Sequence, residues 1–266
     1  MKIGIPGGAG RMGQALTRQV AGTEGCALVA ATEVPDHPAL GRDCGALAGI
    51  EPLGVALGDD AQAMFRAADA VLDFTLPGAA ARHAELAAAE GAILVVGTTG
   101  LGDAEQAALE AAAARVAVVQ APNMSLAVNL LLRLTEQVAG LLDDDYDIEI
   151  VEMHHRHKID APSGTALGLG RAAARARGVS LDEVAARGRD GVTGERPRGA
   201  IGFAALRGGD VVGEHSVIFA ADGERLELAC RSSNRQTYAR GALQAARWAR
   251  GKPPGLYTMA DVLGLG

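Results

Sequence analysis

The chain opens with a short apolar segment, a glycine-rich turn and a helical pattern, in that order. Residues 2–5 are strand-like, and Gly8, Gly10 and Gly13 then fit the spacing G-x-G-x-x-G. The helical pattern continues to Val20. This order is typical of a βαβ unit, so we expect a parallel sheet with helices between its strands.

A second strand-like stretch, residues 27–32, ends at Glu33. This acid lies about twenty residues beyond Gly13, where a carboxylate binds the ribose of a dinucleotide. Side chains in the turn would keep the backbone away from a pyrophosphate, and the start of a helix attracts anions. Glycine turns alone are common, but this one has the required strand, helix and acid. It predicts a bound dinucleotide.

Strands and helices continue to alternate along the first half of the chain. The strand-like segments are 70–75, 93–96 and 116–120, and the helical ones are 79–90 and 103–114. Asp103 and Gln106 are expected to cap the second of these helices. The alternation predicts a doubly wound sheet that binds its ligand at the carboxyl ends of the strands.

Polar residues follow three of these strands. They are Thr75, the turn 97–100 and the turn 121–124, all at the edge where the glycine turn also lies. An ordinary βα turn would explain the Gly and Pro alone. Thr and Asn in three such turns favour contacts to the ribose and nicotinamide of a cofactor.

Beyond Ser125 the pattern changes to a long helix, 126–142, and then mostly strands. The later strands are 147–153, 202–207, 214–220 and 225–231, with tight turns at 208–210 and 222–223 and helices at 236–249 and 258–263. Strands without helices between them predict a second, mainly antiparallel sheet. Residues 188–199 are rich in Gly, Arg and charge and are predicted to form a mobile loop.

The most distinctive stretch follows the strand 147–153. Residues 152–158 contain one Glu, three His, one Arg and one Lys, and residues 162–165 (Pro-Ser-Gly-Thr) then open a helix. A helix start beside cations binds anions, and imidazoles titrate near neutral pH. The stretch predicts a pocket for a small polyanion at which protons move. A solvated charged face is one alternative, and a zinc site using His154 and His157 is another, although no Cys lies nearby.

The composition excludes several classes of protein. The 266-residue chain carries a formal charge of −7, which argues against a nucleic-acid binder. Cys26, Cys44 and Cys230 are scattered without a pairing pattern, as expected of free thiols in a reducing compartment. We see no signal peptide and no apolar run of spanning length, so we expect a soluble, cytoplasmic protein without a membrane or metal partner.

The chain resembles the dihydrodipicolinate reductase family, which acts on the diaminopimelate route to lysine. The resemblance covers nearly its whole length. The matching pieces are Gly10-Arg11-Met12-Gly13, Asp73-Phe74-Thr75, Gly97-Thr98-Thr99-Gly100, Ala121-Pro122-Asn123-Met124-Ser125, Glu152 through Thr165, Thr193-Gly194-Glu195-Arg196 and Gly213-Glu214-His215. The His-rich string is highly distinctive, whereas the glycine turn is shared with many oxidoreductases.

The resemblance implies an α/β fold with two domains and a homotetramer. A Rossmann-like, doubly wound domain would bind the nucleotide and comprise residues 1–125 and 236–266. An α+β domain, residues 126–235, would bind the substrate and form the tetramer through its mainly antiparallel sheet.

The resemblance also implies the chemistry. Hydride passes from NADH or NADPH to a six-membered ring that bears two carboxylates, with loss of water. His154 would be the acid/base, and Lys158 the proton donor or a polarising cation. The substrate would bind to Lys158 and to His155, Ser163, Gly164 and Thr165. The cofactor would contact Gly7, Gly8, Ala9, Gly10, Arg11, Met12, Glu33, Gly97, Thr98, Thr99, Ala121, Pro122, Asn123 and Met124.

The residues after Glu33 depart from the pattern of some family members, which carry an Arg there. In this chain Val34, Pro35 and Asp36 follow. A carboxylate without an adjacent Arg favours a ribose 2′-hydroxyl over a 2′-phosphate. We therefore expect NADH to be preferred and NADPH to be accepted, with Arg11 assisting.

Three residues of the basic segments have open roles. Arg156 and His157 are expected to be structural or to shape the field, with pairing to Glu152 as one option. Arg235 would either reach the substrate or belong to a hinge.

Two rival functions are another two-domain oxidoreductase and a redox sensor that binds NAD(H). The first would lack the cationic run, and the second would need a recognition module that we do not see.

Overall fold

The computed structural model describes residues 1–265. It divides into two compact units: Met1–Leu126 together with the segment from Arg235 onward, and Ala127–Asn234. Each unit has its own sheet and its own hydrophobic core. Among the described helices, none has the length and apolar character needed to cross a membrane.

The described residues form twelve strands and ten helices. The strands are β1 Lys2–Pro6, β2 Ala27–Thr32, β3 Leu57–Gly58, β4 Ala70–Asp73, β5 Ile93–Val96, β6 Ala117–Gln120, β7 Asp147–His154, β8 Ala185–Ala186, β9 Ile201–Arg207, β10 Gly213–Ala221, β11 Glu224–Ser232 and β12 Gly255–Tyr257. The helices are α1 Arg11–Ala21, α2 Cys44–Leu47, α3 Ala61–Ala67, α4 Pro77–Glu90, α5 Asp103–Ala113, α6 Leu126–Leu141, α7 Gly164–Ala176, α8 Leu181–Val184, α9 Gln236–Ala249 and α10 Met259–Leu263.

The sheet of the first unit is parallel throughout, in the order β12-β6-β5-β4-β1-β2-β3. The chain builds outward from β1 in one direction and from β4 in the other, so the order reverses between these two strands. Such a reversal opens a crevice at the carboxyl ends of the strands. The predicted doubly wound fold is confirmed.

The central strands of this sheet are apolar because both faces are covered. On β5, Val95 packs into a core with α1 and α9, whereas Leu94 and Val96 pack into a second core with α3, α4 and α5. Helix α9 packs closely, since a Cβ at Gly241 would lie 1.7 Å from the Met124 carbonyl oxygen. The segment after Arg235 is therefore an integral part of the first unit.

The cap of α5 differs from the expected pair Asp103 and Gln106. The N-cap is Gly102, whose N–H donates to the Glu105 carboxylate at 2.8 Å. Gln106 instead accepts a hydrogen bond from Gln120 at 2.8 Å. The prediction was wrong by one position because Gly102 is already in the extended conformation that precedes a helix.

The sheet of the second unit has the order β11-β10-β7-β9-β8. β10 pairs antiparallel with both β11 and β7, but β9 pairs parallel with both β7 and β8. The sheet is therefore mixed: its larger, antiparallel part around β10 was expected, whereas the parallel pairing of β9 was not. Helices α7 and α8 lie between β7 and β9 and provide the crossover that parallel pairing needs.

The turn at 208–210 does not join neighbouring strands as expected. β9 and β10 lie on opposite sides of β7, so the connection crosses the end of β7 at His154. There the Gly208 N–H donates to the His154 carbonyl at 3.0 Å, and the Arg156 N–H donates to the Gly209 carbonyl at 3.3 Å. The segment 208–212 thus covers the end of the strand that carries His154.

Helices α6 and α7 cover one face of this mixed sheet, where Ile150, Val217 and Phe219 are buried. In the predicted mobile loop 188–199, Arg189 hydrogen-bonds to Glu149 of β7. Arg196 hydrogen-bonds to the same carboxylate and to Asp147. Two arginines thus tie the loop to the face of the sheet that α6 and α7 leave open.

Candidate active site

The glycine turn of the first unit leaves its backbone open. Gly7 has φ +69°, a conformation that favours glycine, and its carbonyl accepts the Gly10 N–H at 3.0 Å. A Cβ at Gly13 would lie 2.2 Å from the Gly7 carbonyl oxygen. Helix α1 begins at Arg11, and its N-cap residue provides no side-chain cap. Its first N–H groups are therefore suited to an anion such as a pyrophosphate.

Glu33 lies directly beside this turn, at the end of β2. One carboxylate oxygen accepts the Ala9 N–H at 3.2 Å and the other accepts the Val34 N–H at 3.3 Å. Val34 itself is 64 % exposed. The predicted ribose-binding carboxylate and the predicted pyrophosphate turn therefore share one edge of the sheet.

The ends of β4 and β5 are hydrogen-bonded to each other. The Thr98 hydroxyl donates to the Thr75 carbonyl at 3.1 Å, and the Gly97 N–H donates to the Asp73 carbonyl at 2.8 Å. A Cβ at Gly97 would lie 2.2 Å from the Phe74 ring, so only glycine fits. The turn 97–100 is thereby held beside Thr75, and Thr99 is exposed.

The turn after β6 contributes less side-chain surface than the sequence suggested. Ala121 and Met124 are buried, so their side chains are not available to a ligand. Pro122 is exposed, and the Asn123 side chain accepts the Ser125 N–H at 2.8 Å. The glycine cradle, the uncapped helix and the Glu33 carboxylate nevertheless fit a pyridine dinucleotide.

In the second unit, β7 directs Glu152 and His154 to the same face. The Glu152 carboxylate is 1 % exposed, and one of its oxygens lies 2.6 Å from His154 Nδ1. Arg207, at the end of β9, donates two hydrogen bonds to this carboxylate, at 2.7 and 2.8 Å. The ring is thus oriented through Nδ1, and Nε2 is the nitrogen left for proton transfer. A Cβ at Gly213 would lie 3.1 Å from Nε2, so this glycine leaves room there.

Opposing effects act on the pKa values of this pair. Burial raises the pKa of Glu152, but Arg207 and His154 outweigh it and hold the pKa below its usual range. Burial lowers the pKa of His154; Glu152 opposes this, and the charges of Lys158 and Arg207 add to it. The net effect is a lowered pKa, so the imidazole is neutral near pH 7 and the carboxylate is ionised.

Ser163 caps helix α7 and is buried. Its hydroxyl accepts the Ala166 N–H at 3.1 Å and lies 2.9 Å from His215 Nε2, and its own N–H donates to Glu152 at 3.1 Å. These polar groups are engaged within the protein. The side chain expected to bind substrate therefore orders the helix start, where Gly164 is exposed.

The remaining basic residues lie in the turn after β7. Lys158 forms an ion pair with Asp160, with Nζ to oxygen distances of 2.8 and 2.9 Å. His155 Nδ1 is buried and has no hydrogen-bond partner among the described residues. Arg156 and His157 are exposed. Residues 1–265 contain no group of three possible ligands that could hold a metal ion.

Sequence reasoning missed the two groups that orient Glu152 and Ser163, namely Arg207 and His215. The option that Glu152 pairs with Arg156 or His157 was wrong, because His154, Arg207 and Ser163 surround the carboxylate. Alternation along β7 could have placed Glu152 with His154. Arg207 joins them only through parallel pairing over a long sequence separation. Arg235 directly precedes α9 and provides no side-chain cap.

We expect the buried His215 to lower the free energy of unfolding in acid. Burial lowers its pKa from 6.5 to about 4, and the charge of His154 adds to the shift. The unfolded chain therefore takes up a proton at higher pH than the folded chain. The free energy of unfolding should fall as pH falls between these values, by about 2–3 kcal/mol.

We expect His215→Gln to lose much less stability over this range, because Gln does not titrate and its oxygen can accept the Ser163 hydroxyl. Urea unfolding of both proteins at about pH 8 and about pH 4.5 tests this. Parallel pH dependences in the two proteins would show that His215 does not cause the loss.

Comparisons with known proteins match both units of the chain to the same family. A family model described as dihydrodipicolinate reductase, N-terminus, matches residues 1–124, and one described as dihydrodipicolinate reductase, C-terminus, matches residues 127–263. The 4-hydroxy-tetrahydrodipicolinate reductase of Dinoroseobacter shibae is 56 % identical over 263 residues, covering 99 % of this chain and 98 % of that protein. The enzyme of that name from Rhodopseudomonas palustris (strain HaA2) is 54 % identical over 265 residues, covering 100 % and 98 %.

A solved structure of similar build is the dipicolinate-bound dihydrodipicolinate reductase from Paenisporosarcina sp. TG-14. It matches with a TM-score of 0.78 and 25 % identity, covering 98 % of each chain. An amine dehydrogenase from Mycobacterium smegmatis shares the fold alone, with a TM-score of 0.61 and 14 % identity, covering 97 % of this chain and 95 % of that one. The chain belongs to the dihydrodipicolinate reductase family.

Proposed function

We propose that this chain is a 4-hydroxy-tetrahydrodipicolinate reductase of the diaminopimelate route to lysine. It uses NAD(P)H to reduce 4-hydroxy-tetrahydrodipicolinate to tetrahydrodipicolinate, with loss of water. The names of relatives up to 56 % identical support this activity. The main structural support for this chemistry is that Glu152 orients the imidazole of His154 through Nδ1.

The test is direct. Aspartate semialdehyde and pyruvate are condensed, and the fresh product is added to the protein and NADH. A fall in NADH absorbance that needs both condensation partners is the expected result. Absence of oxidation with NADH and also with NADPH would refute the activity.

The residues of the first unit would hold the cofactor, and its reduced nicotinamide supplies the hydride when bound. We propose that residues 1–125 and 236–266 form the nucleotide domain. The pyrophosphate of the cofactor would bind at the glycine turn, residues 7–12, and the adenosine ribose of the cofactor would bind at Glu33. Thr98, Thr99 and the backbone of residues 121–124 would contact the nicotinamide side.

The residues of the second unit would hold the substrate and move the proton. We propose that His154 Nε2 gives a proton to the ring carbon adjacent to the one that receives the hydride. The lowered pKa of His154 has burial as its largest cause. A bound dianion would raise that pKa again, so substrate binding and proton uptake would be coupled.

Carboxylate binding would fall to cations and to the start of α7. We propose that Lys158, now paired with Asp160, exchanges that partner for a substrate carboxylate and serves as proton donor or polarising cation. His155 and the helix start at Gly164 and Thr165 would provide further donors. Helix starts and adjacent ammonium groups both favour anions.

Replacement of His154 by Asn tests the acid role. Asn keeps a donor near Nδ1 but has no titrating group, so we expect kcat to fall by about 10²–10⁴-fold. The fall in rate as pH rises through the pKa of the histidine should also disappear. A pH–rate profile measures both. His157→Asn, at an exposed neighbour, is the matched control, and equal losses in the two variants would contradict the assignment.

We propose that NADH is preferred and NADPH accepted. Glu33 would accept the ribose 2′-hydroxyl, and a 2′-phosphate there would meet its negative charge. Val34 provides no compensating cation, while Arg11 is exposed at the turn and could offset part of the repulsion.

Replacement of Val34 by Arg should shift the preference. An arginine beside the ribose would bind a 2′-phosphate, so kcat/KM for NADPH should rise about tenfold and that for NADH should change little. Val34→Gln is the control for length without charge. Steady-state kinetics with each cofactor decide the matter; a wild-type protein that prefers NADPH would contradict the proposal.

We propose that residues 126–235 form the substrate and tetramer domain of a homotetramer. The open face of its sheet carries Val151, Met153, Ala204, Leu206 and Ile218, and Leu206 is 50 % exposed. Apolar side chains grouped on an open sheet face are typical of an interface. Light scattering should give four chain masses, and a smaller mass for Leu206→Glu. A wild-type mass of one chain, 27.1 kDa, would contradict this.

We also propose a cytoplasmic location. The free thiols of Cys26, Cys44 and Cys230 are compatible with a reducing compartment.

A further inference from the structure

A buried acid–histidine pair lies beneath the cofactor edge of the first unit. Asp73, the last residue of β4, is 0 % exposed, and one of its carboxylate oxygens lies 2.7 Å from His83 Nδ1 on α4. The His83 ring packs against Phe65 of α3, with ring centroids 5.7 Å apart. The proposed chemistry makes no use of either residue.

The other oxygen of Asp73 fixes the start of the next turn. It accepts the Thr75 N–H at 2.9 Å and the Thr75 hydroxyl at 2.6 Å. Burial raises the pKa of Asp73, but the hydrogen bonds and charge of His83 and the bonds from Thr75 hold it below its usual range. The carboxylate is therefore ionised, with both oxygens engaged by these two residues. A buried charge of this kind depends on such partners.

Thr75 lies beside two segments of the proposed cofactor site. Its carbonyl accepts the Thr98 hydroxyl at 3.1 Å. Its methyl group lies against the glycine turn, 3.3 Å from where a Cβ of Gly7 would stand. The Asp73 carbonyl also accepts the Gly97 N–H at 2.8 Å. His83 is thus connected to both segments through Asp73 and Thr75.

We propose that Asp73 and His83 are positioning residues for the nicotinamide nucleotide. They hold Thr75, and through it Thr98 and the glycine turn, in the arrangement that binds the cofactor. Without the pair, Thr75 can adopt other conformations, and binding must include the cost of ordering it. This inference rests on the proposed cofactor site but concerns binding alone.

The test measures the dissociation constant of NADH by its fluorescence, without substrate. His83→Leu removes the N–H that binds Asp73, so we expect Kd to rise about tenfold. His83→Asn keeps a donor close to the position of Nδ1, and it should restore Kd to within about threefold of wild type. Gln19→Leu removes hydrogen bonds near the C-terminal end of α1, away from the glycine turn. It is the matched control and should leave Kd unchanged.

A second variant separates positioning from general damage. Thr98→Val removes the hydroxyl that donates to Thr75, so combining it with His83→Leu should raise Kd less than the product of the two single effects. Thermal unfolding without nucleotide verifies that each variant is folded, and His83→Phe replaces His83→Leu if the latter is not.

Three outcomes would overturn the inference. These are an unchanged Kd in the folded apolar variant, a Kd in His83→Asn that is as weak as in His83→Leu, or effects that multiply fully in the double variant. If wild type binds NADH with this dependence on His83 but does not reduce the substrate, the proposed function fails and the inference stands.

Discussion

Glu152 lies almost fully buried in β7, and its two oxygens accept hydrogen bonds from three segments of the second unit. His154 lies on the same strand, Arg207 ends the parallel neighbour β9, and the Ser163 N–H opens helix α7. A buried carboxylate is costly unless it is paired and hydrogen-bonded, and the bidentate Arg207 meets that need. The one carboxylate thereby fixes the imidazole, the strand end and the helix start together.

The glycine turn of the first unit is ordered by a different physical means. The turn is shaped by exclusion, because side chains at Gly7 or Gly13 would be strained or would collide with the backbone. The helix that follows is left uncapped, so N–H groups remain for an anion. Steric exclusion at the glycine turn and charge pairing around Glu152 suit their proposed ligands, an extended dinucleotide and a compact dianion.

Features that depend on local sequence could be predicted. The strand, glycine turn and helix followed from spacing alone, as did the position of Glu33 beside the turn. Long-range features could not. The parallel pairing of β9 with β7 depends on a crossover, and with it the contact of Arg207 with Glu152 was invisible. Ser163 was recognised at a helix start, but its hydroxyl is engaged by His215, which lies far away in sequence.

The proposed chemistry depends on the hydrogen bond between His154 Nδ1 and Glu152. ¹⁵N NMR of histidine-labelled protein tests this hydrogen bond most directly. At a pH where His154 is neutral, Nδ1 should carry the proton and Nε2 should not, and Glu152→Gln should shift that ring's signals and lower its pKa further. A proton on Nε2 in the neutral ring, or a titration indifferent to Glu152→Gln, would contradict the account.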